Sequence, residues 1–187
     1  MTTHKIISVK ELAERSRRLR AEGKRVVLCH GTFDLMHTGH IRYLQRAKQE
    51  GDVLFVTVTG DAYVNKGPGR PVFSEHLRAE NLAALACVDG VAINHAVAAV
   101  EALHDIRPNI YAKGSDYRSH GDDVTGNIAR EQEAVEAHGG HIFYTDEITF
   151  SSSSLLNEHF NVFPPETKEF LQGFRSRWSD KDLHRQI

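Results

Sequence analysis

The chain has little that would place it outside a reducing, aqueous compartment. Its 187 residues include two cysteines, Cys29 and Cys87. Each lies in an apolar run, which reads as a reduced core thiol rather than half of a disulfide. No apolar run approaches the ~20 residues that span a bilayer, and the N-terminus lacks the apolar core of a signal peptide. These absences predict a cytoplasmic protein without a membrane partner. A charge excess is also missing: the formal net charge is −2, which gives no reason to expect nucleic acid as a partner. The sequence has no internal repeat, and Ser151 to Ser154 is its only low-complexity stretch. With 40% hydrophobic and 26% charged residues, the composition is that of an ordinary globular domain with a single large core.

What is present alternates. Ser8-Val9-Lys10-Glu11 reads as a capping box that opens a basic helix ending near Gly23. Arg25 to Cys29 and Asp52 to Thr59 are apolar, β-branched runs suited to strands covered on both faces. Val88 to Asn94, Asn109 to Ala112 and His141 to Tyr144 read as three further strands. Between them lie a helix capped by Ser74 and running to about Cys87, one from Val97 to Ile106 stopped by Pro108, and one ending at Gly139-Gly140. Strands alternating with helices at these spacings predict an α/β, Rossmann-like fold: an open parallel five-stranded sheet with helices on both faces. Three segments follow: an N-terminal helix (1–24), the main domain (25–160), and a charged tail (161–187) broken from it by Pro164-Pro165.

Ligands of such sheets bind beyond the carboxyl ends of the strands, and the polar motifs fall there. Gly31-Thr32-Phe33-Asp34-Leu35-Met36-His37-Thr38-Gly39-His40 joins the first strand to a helix. A helix start offers unpaired N–H groups and a positive dipole end to an anion. Thr38 can cap that helix, His37 and His40 can lean toward one bound anion, and Gly39 lets a ligand touch backbone. Zinc is the competing use of the histidines, but Cys29 and His30 upstream match no usual four-ligand spacing. Lys66-Gly67-Pro68-Gly69-Arg70-Pro71 reads alone as a surface loop, yet its lysine and arginine can close over a triphosphate at the rim of an anion site. Arg78 on the next helix is either a solvated charge or a phosphate contact. Ser151, Ser152 and Ser153 are either a simple cap or a set of phosphate donors.

Gly-Thr-Phe-Asp-x-x-His-x-Gly-His resembles the first signature of the cytidylyltransferase-like nucleotidyltransferases, with seven fixed positions in ten. Across residues 25–158, Gly69-Arg70-Pro71-Val72 with Arg78, Arg107-Pro108-Asn109 leading to Lys113-Gly114-Ser115-Asp116-Tyr117, and Gly139-Gly140 are similar to the heptose-1-phosphate adenylyltransferase domain. Gly31 to Asp34 look more like glycerol-3-phosphate cytidylyltransferase. Phe150 to Ser153 approximate the Ile-Ser-Thr-Thr helix start of both, although Asp146-Glu147 stand where the cytidylyltransferase has its arginine.

The resemblance implies transfer of a nucleoside monophosphate from an NTP to a small phosphorylated sugar or polyol, with Mg²⁺ travelling with the triphosphate. ATP is favoured over CTP; a cytidylyltransferase acting on a glycerol-phosphate-like acceptor and a non-catalytic nucleotide sensor are the alternatives. His37, His40, Lys66 and Arg78 are the expected catalytic residues. Gly31, Thr32, Phe33, Asp34, Gly39, Lys113, Gly114, Asp116, Ser151, Ser152 and Ser153 are expected to bind the nucleotide or acceptor, with Asp34 orienting either the loop or a cation. A homodimer and fusion to a kinase domain are the protein partners that the resemblance admits.

Overall fold

The computed structural model describes residues 3–66, 69–114 and 127–146, together with Glu166 and Glu169. The chain divides into two compact units, Met1–Thr149 and Phe150–Ile187, and all that follows concerns the first. Its helices are α1 (Val9–Ala21), α2 (Thr38–Lys48), α3 (Glu75–Ala83), α4 (Val100–Ile106) and α5 (Ile128–Glu136). Its strands are β1 (Val26–Gly31), β2 (Val53–Thr59), β3 (Gly90–Asn94), β4 (Ile110–Lys113) and β5 (His141–Tyr144). The five strands form one sheet in the order β3-β2-β1-β4-β5, and every pairing is parallel. Among the described residues no helix is long and apolar enough to cross a membrane.

Strand alternation explains the apolar runs. In β1, Val27 and Cys29 enter a core with Leu44 and Ala47 of α2 and with Ala79, Leu82 and Ala83 of α3. Val26 and Leu28 enter a second core with Leu12 of α1, Leu103 and Ile106 of α4, and Val135 of α5. Burial on both faces leaves no polar position from Val26 to Cys29, and each buried leucine or isoleucine stabilises the fold by roughly 1.5–3 kcal/mol. Cys29 belongs to the first core, where burial above all pushes its thiol up to about 12. The N-terminal helix is part of the same body: Ser8 and Glu11 form the expected capping box, with Glu11 N–H on Ser8 Oγ at 3.2 Å and Ser8 N–H on Glu11 Oε2 at 2.9 Å.

Two helix boundaries differ from expectation. α3 ends at Ala83 rather than near Cys87, and Ser74 stands at its N-cap without a side-chain capping bond. α4 begins at Val100, three residues after Val97, because Asn94 at the end of β3 draws in the connection: its Nδ2 donates to Ala96 O at 3.4 Å and Ala98 O at 2.9 Å. The sheet order reverses between β1 and β4. That reversal opens the crevice in which such sheets hold ligands. Tyr43 of α2 braces it from one side, donating its hydroxyl to Ala112 O of β4 at 2.6 Å.

Candidate active site

β1 delivers its loop to this crevice under strain. Phe33 has φ 48°, a left-handed conformation disfavoured for a bulky residue. Its ring is 5% exposed and lies over Gly31, where an added Cβ would stand 3.2 Å from it. Gly31 thus makes room for Phe33, and the Phe33 ring in turn meets His40 edge-on at 5.6 Å.

The helix start is capped by a histidine, not by Thr38. His37 is the N-cap of α2, and its Nδ1 accepts the Gly39 N–H at 3.1 Å. The His37 N–H in turn reaches His40 Nδ1 at 3.4 Å. An imidazole nitrogen that accepts carries no proton, so each neutral ring keeps its proton on Nε2. Backbone N–H groups thereby select one tautomer for both rings, which lie 4.0 Å apart. Burial first, then His37 and Lys66, lowers the pKa of His40 to about 4. Lys66 itself is held below its ordinary range by partial withdrawal from water and by Arg70 and Arg78, against the opposing pull of Asp34. Two expected residues, His37 and His40, therefore meet beside buried Gly39, and the charge of Lys66 acts on His40 from the neighbouring loop.

Asp34 is 3% exposed and has definite work. Its Oδ1 accepts the N–H groups of Val72 at 2.8 Å and Phe73 at 3.1 Å, and its Oδ2 takes Arg70 Nε at 2.5 Å. Burial alone would raise its pKa; those donors outweigh it and keep the carboxyl ionised. Of its two expected uses, orienting a loop or a cation, the geometry assigns the first. Among the described residues no group of three or more His, Cys, Asp or Glu side chains could hold a metal ion.

The structure gives Arg78 a different place from the expected phosphate contact. It is 0% exposed. Its Nε donates to Phe73 O at 3.0 Å, Nη1 to Thr32 O at 2.5 Å, and Nη2 to Thr59 O at 2.8 Å and Asp61 Oδ1 at 2.6 Å. Four of its five N–H donors are thereby spent joining the β1 loop, the end of β2 and the loop before α3. Thr32 likewise contributes its carbonyl to this hub. The segment Gly60 to Phe73 is accordingly fastened at both ends, and it includes a short 3₁₀ turn, Asp61–Tyr63. Glu75 Oε2 accepts the Asp61 N–H at 2.7 Å.

Lys113 is largely withdrawn from water. It closes β4, is 7% exposed, and pairs with Glu131 Oε2 at 2.8 Å. Gly114 follows it at the strand end. Asp116 and Ser151, Ser152 and Ser153 lie outside the described residues. Sequence reasoning missed Glu131, yet a signal existed: it falls on the stripe Ile128, Glu131, Val135 that α5 buries, so a carboxylate stands where the helical period calls for an apolar residue. His30 is separated from Cys29 by strand alternation. Its Nδ1 lies 2.9 Å from Thr57 Oγ1, and Nε2 lies 3.4 Å from Thr59 Oγ1. Burial and then Lys113 lower its pKa to about 4, with Glu131 opposing.

This geometry agrees with what the chain is similar to. Residues 28–158 match the cytidylyltransferase-like family. The chain is 37% identical over 153 residues to the bifunctional protein HldE of Syntrophotalea carbinolica, covering 81% of this chain and 29% of that protein. It is 42% identical over 125 residues to the HldE of Pelobacter propionicus, covering 66% and 24% respectively. The chain thus spans less than a third of these relatives. A crystal structure of a lipopolysaccharide core biosynthesis protein from Thermoplasma volcanium superposes with TM-score 0.56 at 26% identity, covering 68% of this chain and 100% of that one. Parallel sheet, His-x-Gly-His helix start and a family match over most of its length make one assignment: the chain is a nucleotidyltransferase enzyme and belongs to the cytidylyltransferase-like family.

Proposed function

We propose that the enzyme transfers a nucleoside monophosphate, from ATP in preference to CTP, to a small phosphorylated sugar such as a heptose 1-phosphate. The observation that carries this reading is the pair of tautomer-fixed imidazoles, 4.0 Å apart at the start of α2; the positive charge of Lys66 acts on His40 in the same direction as burial. Cationic and N–H donors gathered at a helix start suit a triphosphate. A phosphate oxygen of the acceptor attacks the α-phosphorus and forms the new P–O bond. The bond from the α-phosphorus to the bridging oxygen breaks on the opposite side, and pyrophosphate carries the electron pair away. No protein nucleophile is needed, so catalysis consists of positioning and of stabilising charge on the leaving group. The Nε2–H groups of His37 and His40 donate to the phosphates, Lys66 meets the charge that develops on pyrophosphate, and Asp34 and Arg78 hold the loops that carry these groups. Mg²⁺ enters as part of the nucleotide substrate.

The heptose acceptor and ATP are supported by similarity to the HldE proteins and to a protein of lipopolysaccharide core biosynthesis. The name "bifunctional" and the fraction of those relatives covered here support a companion kinase domain, and a homodimer stays part of the same reading. Gly31-Thr32-Phe33-Asp34 favours the second reading, CTP with a glycerol-phosphate-like acceptor. A pyrophosphate-release screen of four nucleotides against a panel of sugar and polyol phosphates decides between them. ATP with a heptose 1-phosphate is the expected pair; release only with CTP overturns it, and nucleotide binding without release under any pairing overturns transfer itself.

A further inference from the structure

Glu131 is a single carboxylate with three partners on two elements, α4 and β4. Its Oε1 accepts the Ala99 N–H at the start of α4 at 3.0 Å. Its Oε2 accepts the Tyr111 hydroxyl at 3.0 Å and faces Lys113 Nζ at 2.8 Å. The residue is 3% exposed and Tyr111 0% exposed. Lys113 Nζ also stands 5.0 Å from the centre of the Tyr111 ring. A buried ion pair is a weak device for stability, because desolvation offsets most of its attraction, and an apolar pair would pack there as well. This one lies at the carboxyl end of β4, beside the strand-order reversal where the ligand crevice opens. It sits on the sheet face opposite the α2–α3 core.

We propose that Glu131 is a positioning residue: it holds the Lys113 ammonium at the crevice end of β4, ready to meet a phosphate oxygen of a substrate, and balances its charge until that oxygen arrives. The oxygen belongs either to the nucleotide or to the acceptor. This inference rests on nucleotidyl transfer as proposed above.

Steady-state kinetics on Glu131→Gln, Lys113→Met and the double variant, with nucleotide and sugar phosphate varied separately, test it alongside thermal melting. Glutamine keeps an oxygen for Ala99 N–H but removes the charge that holds Lys113. Glu131→Gln is expected to lower kcat/KM by about tenfold to a hundredfold, the scale of a small misplacement of a phosphate-contacting group. In the Lys113→Met background the same change should cost less than about twofold, because its effect runs through the lysine. A rise in KM confined to the nucleotide, or confined to the sugar phosphate, supports the proposal and names the phosphate concerned. A merely structural carboxylate would lower the melting temperature and leave kcat and both KM values within about twofold; that result in folded Glu131→Gln overturns the proposal. Where Glu131→Gln fails to fold, since it strands a buried lysine, the double variant decides: kcat equal to that of Lys113→Met supports positioning, and a further tenfold loss overturns it. A wild-type protein that releases no pyrophosphate sinks the transfer reading and this inference together; an active wild type matched by Glu131→Gln sinks the inference alone.

Discussion

At the carboxyl edge of the sheet, the two faces treat a half-buried histidine in different ways. On the α2–α3 side, burial, His37 and Lys66 bring His40 to about 4, and Lys66 is in turn depressed by loss of water first and then by Arg70 and Arg78, with Asp34 opposing. The carboxylate there, Asp34, is already taken by Arg70 and two backbone N–H groups. On the α4–α5 side, burial and Lys113 bring His30 to about 4 as well, but Glu131 opposes the shift. The difference lies in who supplies the counter-charge. One face keeps positive groups that repel one another, which an incoming polyanion relieves. The other carries its own carboxylate and is satisfied from within. A triphosphate therefore has an electrostatic reason to settle on the first face, whereas on the second the Lys113 ammonium is balanced in the free enzyme by Glu131.

The strongest way to break this comparison is to remove the arginine behind the first face. Arg78→Met should destabilise the fold by about 3–5 kcal/mol, the scale for leaving a buried charge network without its partner. Thr32, Thr59, Phe73 and Asp61 would all lose their donor. Chemical denaturation measures the loss, and a change below about 1 kcal/mol would return Arg78 to the list of direct phosphate contacts. His40→Ala comes next. It should leave the fold intact and lower kcat by roughly a hundredfold, the cost of one charge-stabilising donor; near-normal turnover would remove the helix start from catalysis. Lys66→Ala should lower kcat by about tenfold while changing nucleotide affinity less than about threefold, because a group that meets the leaving pyrophosphate acts mainly as charge develops. Calorimetric affinity beside kcat separates the two effects, and an unchanged kcat would take Lys66 out of the mechanism.

The sheet was legible because its strands are short apolar runs bounded by turn residues, and strand period needs no knowledge of partners. The His-x-Gly-His start was legible for the same local reason: strand, loop and helix cap lie within sixteen consecutive residues, from Arg25 to His40. Arg78 and Lys113 were identified as residues of the site, but their surroundings were not foreseen. What surrounds Arg78 comes from positions 32, 59, 61 and 73, and Lys113 meets a helix eighteen residues further on. Folding alone brings these together, and one sequence carries no record of such pairs. Glu131 was visible in principle as a polar break in the stripe of α5. Thr38 was given the cap by residue preference, which His37 overrode because its Nδ1 reaches the Gly39 N–H.

The smallest expected effect is the one that separates the two histidines. Both titrate near 6.5 when unfolded and at about 4 when folded. Between those values the unfolded chain binds more protons, so stability rises with pH. The contribution of each ring is complete above about pH 6.5 and is lost as the pH falls through about 4. Melting temperature should therefore drop from pH 7 to pH 4.5 by several degrees. Nucleotide changes only one of the two contributions. A bound triphosphate brings negative charge to His40, raises its folded pKa toward the unfolded value, and flattens its share of the pH dependence. His30, balanced by Glu131 on the far face, should keep its share. Melts across this range, with and without saturating nucleotide, should show a shallower acid slope in the bound state. In His40→Ala the slope should be shallow already and insensitive to nucleotide, with binding itself detected by calorimetry. Parallel curves for free and bound wild type would mean that no phosphate comes near His40, and the contrast between the two faces would fail.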